Sequence, residues 1–475
     1  MKIKYVSKSD FLMTRHDQGI HVVVVHDIAL VERFLKKKGV KMHAELLLGK
    51  VVLIDKMTVV FYVMPEEEWY IEMQSICRSL QSELVVLKKD KKVIQDTFYL
   101  FVDKLKFKQK RAFLLCLFKE MYQFKKYKHT AVDARSLYII DKEKGRRNIL
   151  DIINHANAGS LARDIATEPS NKMWPERFCE HVRAEFKGCK EISVRCMSMQ
   201  DMKNLNLNLI VSVGQSAHHE PKMMIIEYMP EKNGETVCLV GKGVVFDAGG
   251  YNIKPSQSMW GMKGDKTGGA IVVGLFKFLA QMKERPTKNL IGIVPLVENL
   301  VSHNASKPGD IVKTYNGVTV EIIDTDAEGR LIMADAFAYL CDKYKPSYII
   351  DFATLTGWSG LMHCDTSYVY YTQDNRISDI VQYIGEHVGE RSVRMPVWPE
   401  YMRYTRSAVA DYKNLQNSCK RSGGFMAAMF LMNFIKPELR EKWIHFDITH
   451  SEKESLHTCN ALATGIDLVF KYLLK

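Results

Sequence analysis

The chain has 475 residues, which is long for a single domain and predicts two. Its hydrophobic content of 47% and charged content of 26% are ordinary for a soluble globular protein. No run approaches the roughly 18 apolar residues of a membrane-spanning helix, and the segment after Met1 lacks the apolar stretch of a secretory signal. We therefore expect a cytoplasmic protein without a membrane partner.

Ten cysteines are scattered between Cys77 and Cys459, and none forms a Cys-x-x-Cys pair. Closely paired cysteines are typical of metal sites, and a dense set is typical of a disulfide framework. This spacing instead predicts free, mostly buried thiols in a reducing compartment.

Most of the net charge of +12 comes from one segment, Lys88–Lys128, which holds 13 basic and four acidic residues. Such a segment is typical of a surface that binds nucleic acid or another polyanion. The apolar run Ala112–Phe118 favours a second interpretation, a helix buried on one side with its lysines in solvent.

The N-terminal region alternates strand-like runs, rich in Val and Ile, with helical ones. Its predicted strands are His21–His26, Val51–Ile54, Thr58–Val63, Glu83–Leu87 and Thr97–Val102. The polar run Lys142–Asn148 is typical of a linker. Apolar spacing then predicts a helix over Ile149–Thr167, which Pro169 ends.

The rest of the chain repeats a strand-then-helix rhythm. Its predicted strands are Leu209–Val213, Met223–Tyr228, Val237–Val240, Leu290–Val294, Tyr348–Phe352 and Trp443–Ile448. Its predicted helices are Thr267–Glu284, Leu331–Tyr344 and Phe425–Ile435. Near-continuous apolar strands separated by helices favour a mostly parallel or mixed sheet covered on both faces. We therefore predict an α/β protein of two domains, each a mixed sheet flanked by helices: 1–148 and 168–475, joined by a linker helix at 149–167.

Two glycine-rich segments carry charged side chains at fixed intervals. One, GKGVVFDAGGYNIKP, begins at Gly241 and is followed by Asp265; the other, DTDAEGR, begins at Asp324. The first follows a predicted strand and the second precedes a predicted helix. Because ligands in such folds bind at the carboxyl ends of strands, both segments are candidates for a site.

The side chains of these segments suit divalent cations. Carboxylates are hard ligands for Zn²⁺, Mn²⁺, Mg²⁺ or Co²⁺. Asp326 and Glu328 are two residues apart, so both point to one side of an extended segment. A lysine beside such a cluster has two possible roles: it can bind a metal as a free amine, or polarise a carbonyl as a cation. The sequence contains two such lysines, Lys242 and Lys254, so one is available for each role. Separate surface salt bridges would explain each short motif alone, but not the complete string.

With these motifs in place, the chain resembles the dinuclear-metal leucyl aminopeptidases of the cytosolic type, peptidase family M17. The resemblance covers roughly residues 150–475 and reaches the N-terminal region through its layout only. It makes the C-terminal domain the catalytic one. Further matching segments are Ala162–Ile165, Glu168–Pro169, Ala353–Gly357, Asp411–Asn414, Ser422–Gly424, Trp443–Ile448 and Ala463–Gly465.

The resemblance implies two divalent ions per subunit, Zn²⁺ or Mn²⁺, with Mg²⁺ or Co²⁺ as alternatives. The implied metal ligands are Lys242, Asp247, Asp265, Asp326 and Glu328. Within this set, Asp247 and Glu328 would bridge the two ions.

The implied reaction is removal of the N-terminal residue from a peptide by a metal-activated water. Lys254 would polarise the scissile carbonyl, and Arg330 would hold a bicarbonate ion as general base. Met262, Thr354 and Gly357 would line an apolar pocket suited to Leu or Met. The family forms hexamers of two trimers, so we expect a homohexamer that acts on peptides.

Three residues depart from the family pattern. Asp324 stands where Asn is usual, Lys266 where Met is usual, and Trp358 where a small residue is typical. We expect the Lys266 ammonium to offset part of the Asp324 charge. We also expect Trp358 to narrow the substrate pocket.

Two other functions fit parts of the sequence. The basic segment would suit a nucleic-acid-binding protein on an aminopeptidase scaffold. A catalytically inactive relative is the other alternative, and it is disfavoured because all key side chains are present.

Two further motifs resemble catalytic or metal sites but have simpler interpretations. We expect His218–Glu220 to form a surface loop, and His363–Cys364 to be a chance pairing without nucleophilic function.

Overall fold

The computed structural model describes residues 2–7, 20–25, 52–54, 57–63, 97–102, 107–129, 136–142, 146–363, 367–416, 423–449, 459 and 461–474. The chain divides into two compact units. One comprises residues 1–156 and 386–389, and the other 157–385 and 390–475. Within the described ranges, no helix is both long enough and apolar enough to cross a membrane.

The first unit contains a six-stranded sheet. Its strands are β1 Lys2–Ser7, β2 Ile20–Val25, β3 Val52–Ile54, β4 Met57–Val63, β5 Thr97–Phe101 and β6 Ser136–Asp141. The order across the sheet is β1-β6-β5-β2-β4-β3. All neighbouring pairs are parallel except β3 with β4. Parallel neighbours need crossover connections, and helix α1, Phe107–Met121, lies between β5 and β6 in the chain.

Four of the five predicted N-terminal strands are present to within one residue at each end, and Glu83–Leu87 lies outside the described residues. The linker prediction for Lys142–Asn148 is wrong at its end, because helix α2 spans Arg146–Thr167. Arg147 and Asn148 are exposed in the first turn of α2. Polar residues are as typical of an exposed helical turn as of a linker, which explains the error. The predicted domain limits remain a prediction.

The basic segment is only partly a solvated surface. Lys126 and Lys128 are exposed, as the second interpretation expects. Lys110, however, is buried in α1 and donates hydrogen bonds to both carboxylate oxygens of Asp141, at 2.7 and 2.6 Å. Arg111 is also buried. The prediction that the lysines of this helix all face solvent is therefore wrong for Lys110.

The second unit is built on a nine-stranded mixed sheet. Its strands are β7 Ile192–Met197, β8 Lys222–Tyr228, β9 Thr236–Gly241, β10 Gly243–Asp247, β11 Asn289–Asn299, β14 Tyr348–Ala353, β15 Tyr368–Tyr371, β16 Ser392–Met395 and β18 Trp443–Asp447. The order is β16-β15-β18-β14-β9-β11-β8-β7, and β10 pairs with β11. The central neighbours β18, β14, β9 and β11 run parallel. Strand β8 is antiparallel to both β11 and β7, and β15 is antiparallel to β18 but parallel to β16. A small second sheet consists of β12 Ile311–Lys313, β13 Thr319–Glu321 and β17 Tyr412–Lys413.

Helices follow α2 along the chain. They are α3 Pro175–Phe186, α4 Met199–Asn204, α5 Asn208–Gly214, α6 Ser256–Met259, α7 Thr267–Gln281, α8 Glu328–Lys343, α9 Gly357–His363, α10 Asn375–Val388, α11 Gly423–Met432 and α12 Leu462–Asp467. Helices α7 and α8 both contact the central strands β9 and β11. Every residue of those two strands is buried, as expected for a sheet covered on both faces. The predicted mixed α/β architecture is confirmed.

Five of the six strands predicted in this unit and all three helices are present, but the strand predicted at Leu209–Val213 is wrong. These residues belong to α5, and all five are buried. A short apolar run without polar alternation does not distinguish a buried strand from a buried helix. The Asp335 carboxylate accepts hydrogen bonds from Leu209 N at 2.7 Å and from Ile210 N at 3.3 Å. This distant acceptor satisfies N–H groups that the start of a helix leaves free.

The prediction of free cysteines is wrong for one pair. A disulfide joins Cys179 in α3 to Cys196 in β7. None of the other described cysteines is in a disulfide, and all but the half-buried Cys189 are buried. Sequence spacing did not indicate this pair, because packing α3 against the edge of the sheet brings the two thiols together.

Candidate metal centre and active site

The candidate site lies where central strands of the second unit end and two helices begin. Lys242 sits between β9 and β10, and Asp247 is the last residue of β10. Asp265 lies in the 3-10 turn before α7, and Glu328 is the first residue of α8. Thr354 directly follows β14. The topology therefore brings both charged motifs to one edge of the sheet, as predicted.

Three of the four predicted acidic ligands form a close cluster. One carboxylate oxygen each from Asp247, Asp265 and Glu328 lies within 4.8 Å of the others. All three residues are buried, with at most 6% of their surface exposed. Three carboxylates at this separation would repel one another strongly in a dry interior, so the cluster needs positive charge.

Lys242 supplies part of that charge. Its Nζ lies 2.9 Å from Asp265 Oδ1 and 2.9 Å from Glu328 Oε1, and it donates a 2.9 Å hydrogen bond to the Thr354 carbonyl oxygen. The side chain is 4% exposed. Lys242 therefore occupies the position next to the predicted ligands that the resemblance implies.

Lys254 supplies the second positive charge and connects the fourth predicted ligand. Its Nζ lies 2.8 Å from Asp247 Oδ2 and 2.5 Å from Asp326 Oδ1. Asp326 thus adjoins the cluster through a shared cation. All five predicted metal ligands and Lys254 lie in one network of contacts.

Two glycines allow these side chains to approach. Gly249 has φ of +90°, and a Cβ there would lie 2.8 Å from Asp326 Oδ1. A Cβ at Gly329 would lie 2.4 Å from Lys242 Cε. No larger residue fits either position without moving a side chain of the network.

Several carboxylate oxygens in the site accept no hydrogen bond from any described residue. They are Asp265 Oδ2, Asp326 Oδ1, Glu328 Oε1 and Glu328 Oε2. The lysine ammonium groups lie near three of them but do not meet the angular requirements of a hydrogen bond. Buried polar atoms without partners are uncommon and call for an unseen one. Hard, anionic oxygens in this position fit divalent cations.

The pKa values of the site show how burial and charge compete. Burial alone would lower the pKa values of Lys242 and Lys254, but the carboxylates around them outweigh it and raise both. Burial raises the pKa of Asp265 to about 8 and that of Asp326 to about 7. For Glu328, the two lysines outweigh burial and lower the pKa. These directions apply to the protein without bound cations, in which both lysines are charged.

Arg330 adds a further cation at the edge of the cluster. It is 4% exposed, and its guanidinium donates a 2.8 Å hydrogen bond from Nη1 to the Asn414 carbonyl oxygen. Its Nε–H donates to no acceptor among the described residues. Burial lowers the pKa of Arg330 to about 10, so the group stays positive at neutral pH. A buried cation with an unused donor fits an anion.

The structure also assigns supporting roles to residues that the sequence analysis did not single out. Asn299, at the end of β11, donates to Asp247 Oδ1 at 2.8 Å and to the Thr325 carbonyl at 3.0 Å. Thr325 Oγ1 donates to the Gly249 carbonyl at 2.6 Å, and the Asn252 amide donates to Thr325 Oγ1 at 2.8 Å. Asn299 lies beyond the strand predicted at Leu290–Val294 and next to a second polar residue, Glu298, so no distinct signal in the sequence indicated its role.

A cavity of about 650 Å³ opens onto the site. Met262, Thr354 and Gly357, predicted to line the first side-chain pocket, are among its lining residues. Trp358 also lines it and packs against Phe425 with ring centroids 5.4 Å apart. The position of Trp358 agrees with the expectation that it narrows this cavity.

The expected compensation between Lys266 and Asp324 is not supported by a direct contact. Lys266 Nζ donates to the carbonyl oxygens of Glu168, at 2.8 Å, and Lys263. Asp324 Oδ1 accepts a 2.8 Å hydrogen bond from Asp326 N. Lys266 is fully buried, and burial lowers its pKa to about 7. The two side chains thus have separate partners.

Two sequence motifs, His218–Glu220 and His363–Cys364, were expected to have no catalytic role. His218 and Glu220 are exposed in a loop, which confirms the surface prediction. His219 stacks on Trp174 with ring centroids 4.7 Å apart. Cys364 lies outside the described residues, so the interpretation of His363–Cys364 remains untested.

Known structures share this fold. The bottromycin maturation enzyme BotP, solved in complex with Mn, aligns with a TM-score of 0.77 at 23% identity, over 94% of this chain and 99% of that one. A second structure of BotP aligns with a TM-score of 0.76 at 24% identity, over the same shares. At this level of identity, the likeness establishes the architecture alone.

Sequence relatives are closer. A family model for the catalytic domain of the cytosol aminopeptidase family matches residues 160–470. A probable cytosol aminopeptidase of Rickettsia rickettsii (strain Sheila Smith) is 36% identical over 366 residues, which cover 74% of this chain and 72% of the relative. A probable cytosol aminopeptidase of Rickettsia canadensis (strain McKiel) is 37% identical over 322 residues, which cover 67% of this chain and 63% of the relative. The chain therefore belongs to the cytosol aminopeptidase family, M17, of metal-dependent aminopeptidases.

Proposed function

We propose that this chain removes the N-terminal residue from peptides, with a preference for Leu-like residues, and uses two divalent metal ions to do so. The observation that carries the proposal is the meeting of the buried Asp247, Asp265 and Glu328 within 4.8 Å, where Asp265 Oδ2 and both Glu328 oxygens accept no hydrogen bond from a described residue. Membership of the family supports it.

The proposed ions are Zn²⁺ or Mn²⁺. Their proposed ligands are Lys242, Asp247, Asp265, Asp326 and Glu328. When bound, the ions would act as Lewis acids and lower the pKa of a water molecule. To serve as a ligand, Lys242 must give up the proton that the neighbouring carboxylates hold on it in the structure described here.

Lys254 and Arg330 are proposed to act on the substrate and on the proton. The raised pKa of Lys254 keeps its amine protonated at neutral pH, so it suits a donor to the carbonyl oxygen and not a base. Arg330 is proposed to hold a bicarbonate ion through its buried guanidinium, and the bicarbonate would accept and return the proton. The unused Nε of Arg330 supports this role.

The proposed preference for Leu-like first residues follows from the lining of the cavity. Met262, Gly357 and Trp358 present an apolar wall, and Thr354 is held by its 2.6 Å hydrogen bond to Asp265. Branched or linear aliphatic side chains would be desolvated there without leaving a polar group unpaired.

We propose peptides as the substrates, a homohexamer as the assembly and the cytoplasm as the location, all by extension from the family. We favour peptides over nucleic acid, because Lys110 and Arg111 of the basic segment are buried and do not present their charge to phosphates. The pairing of Lys110 with Asp141 further reduces the charge available to a polyanion.

The test is hydrolysis of leucine p-nitroanilide by metal-stripped protein, before and after addition of Mn²⁺ or Zn²⁺. We expect release of the chromophore with metal, and none with excess chelator. The N-acetylated substrate is the control and should resist cleavage, because the proposal requires a free α-amino group. Failure of the free substrate with every metal, or equal cleavage of the acetylated one, would contradict the proposal.

A further inference from the structure

We propose that Asp324 makes the enzyme select peptides whose second residue is Lys or Arg. This inference rests on the proposed aminopeptidase function and goes beyond it, because it concerns the residue on the leaving side of the scissile bond. Asp324 lies among the residues that line the cavity, next to Asp326 and Ala327.

Asp324 is fixed in place through its backbone and one carboxylate oxygen. Asn414 Nδ2 donates to the Asp324 carbonyl at 2.6 Å, and Asp324 N donates to Asn414 Oδ1 at 3.3 Å. The carboxylate Oδ1 accepts from Asp326 N at 2.8 Å. The half-buried side chain is therefore held at the cavity wall with little freedom.

The other carboxylate oxygen of Asp324 remains available. Among the described residues, Oδ2 of Asp324 has no hydrogen bond and no ion pair. Lys254 is engaged by Asp247 and Asp326, and Arg330 donates to the Asn414 carbonyl. Asp324 interacts electrostatically with Arg330, but no described lysine or arginine forms an ion pair with the Asp324 carboxylate, and Asp324 belongs to the lining of the cavity.

The negative charge of Asp324 is not needed for the turn that holds it. An acceptor for Asp326 N is all that the local structure requires, and an asparagine side-chain oxygen would provide it. The charge is therefore a feature of this chain that its fold does not explain.

The position of Asp324 assigns it to the leaving side of the substrate. Thr354, on the proposed pocket for the first side chain, contacts Asp265 and Lys242. Asp324 instead adjoins Asp326, which pairs with Lys254. A substrate whose first side chain lies beside Thr354 and whose carbonyl lies beside Lys254 would extend its next residue toward Asp324.

The cavity has room for this arrangement. At about 650 Å³ it lies within the range of sites that hold whole small molecules, and a single aliphatic side chain would not fill it. A Lys or Arg side chain also has an apolar stem, which Leu415 on the cavity wall can contact while the charged end reaches the carboxylate. We therefore infer recognition of a cationic side chain by one carboxylate.

The experiment compares kcat/KM for Leu-Lys and Leu-norleucine, whose second side chains differ in the ammonium group alone. We expect the wild type to favour Leu-Lys, and the ratio to fall about fivefold in Asp324→Asn, the scale of one partly exposed ion pair. The preference of the wild type should also weaken with added salt.

The matched control is Asp374→Asn. Asp374 is half-buried and accepts a hydrogen bond from Ile377 N at 3.1 Å, but it is not among the cavity residues. This variant removes the same charge and keeps an acceptor for a backbone amide, so the Leu-Lys to Leu-norleucine ratio should match that of the wild type.

A second readout does not depend on turnover. Calorimetric titration with uncleavable phosphinic analogues of the two dipeptides should show the same loss of selectivity in Asp324→Asn. A wild-type ratio at or below one, or equal ratios in wild type and Asp324→Asn, would overturn this inference and leave the proposed function standing. If the metal-loaded wild type cleaved neither dipeptide, the proposed function would fall, and this inference with it.

Discussion

Two acidic residues on helix α8 show how differently a protein can treat a buried carboxylate. Glu328, at the start of the helix, is 1% exposed, and neither of its oxygens accepts a hydrogen bond from a described residue. Asp335, seven residues later, is fully buried. Its two oxygens accept three backbone hydrogen bonds, from Leu209, Ile210 and Tyr315.

The difference lies in what surrounds each carboxylate. Glu328 is stabilised by the charges of Lys242 and Lys254, which outweigh burial and lower its pKa. Asp335 is held by directed N–H groups that join α5 and the small sheet region to α8. A carboxylate whose oxygens are satisfied by backbone has a structural task. One that is balanced by charge alone, with oxygens left over, is suited to bind a ligand.

The largest expected effect comes from Glu328→Gln. The substitution keeps the shape of the side chain and removes the charge that we propose for metal binding, so kcat/KM should fall on the order of 10³-fold. Metal bound per subunit, measured by elemental analysis, should fall as well. Circular dichroism serves as the control for folding, and a variant with full metal content and wild-type turnover would break the contrast between the two acids.

The second expected effect comes from Asp335→Ala. It leaves three buried N–H groups without an acceptor, so the free energy of unfolding should fall by about 3 kcal/mol. Turnover per folded molecule should change little, because Asp335 does not line the cavity. Urea denaturation measures the first quantity. Asp342→Ala is the control on the same helix, because Asp342 is exposed, and equal destabilisation by both variants would contradict the role of Asp335.

A third buried acid, Asp351, has both a hydrogen-bond donor and a charged partner. Its pairing with His445 gives the smallest of the expected effects. Asp351 accepts from Trp443 Nε1 at 2.7 Å, and its other oxygen lies 2.6 Å from His445 Nδ1. Burial would lower the pKa of His445, but Asp351 outweighs it and the pKa is raised. Because the pKa of His445 is raised in the folded protein, its protonated form stabilises the fold fully at pH values below its ordinary pKa of 6.5. This stabilisation is lost as the pH rises through the pKa of His445 in the folded protein.

The pH profile of unfolding tests this pair. The wild type should exceed His445→Asn in unfolding free energy by more at pH 5.5 than at pH 8.5, with a slope of at most about 1.4 kcal/mol per pH unit. Trp443→Phe removes a hydrogen bond that lowers the pKa of Asp351, so its deficit in unfolding free energy should shrink toward low pH, opposite to the trend of His445→Asn. Parallel profiles for wild type and His445→Asn would show that the pair carries no charge coupling.

The same contrast explains how much the sequence could predict. The acids of the candidate site lie in two glycine-rich segments with fixed spacing, so their meeting at one sheet edge followed from local pattern and topology. Asp335 and its partners are far apart in the chain, with Tyr315 20 residues away and Leu209 126 residues away. No local pattern indicates such a pairing, so the sequence did not reveal the acceptor that serves the start of helix α5.

Other features escaped prediction because they too depend on tertiary contacts. Asn299 orients Asp247 from a neighbouring strand, and Lys266 donates to a carbonyl 98 residues away. The disulfide between Cys179 and Cys196 requires α3 to pack beside β7. The central strands β9, β11 and β14 and the helices α7 and α8, by contrast, were predicted from their apolar pattern, which is a local property of the chain.

The ammonium groups of Lys242 and Lys254 have a consequence for how the protein matures. Each lies within 3 Å of two site carboxylates, so the two lysines supply positive charge at the place where the proposed ions would supply it. To serve as a ligand, Lys242 would have to lose its proton, so loading of the proposed ions should release protons, and metal affinity should rise with pH.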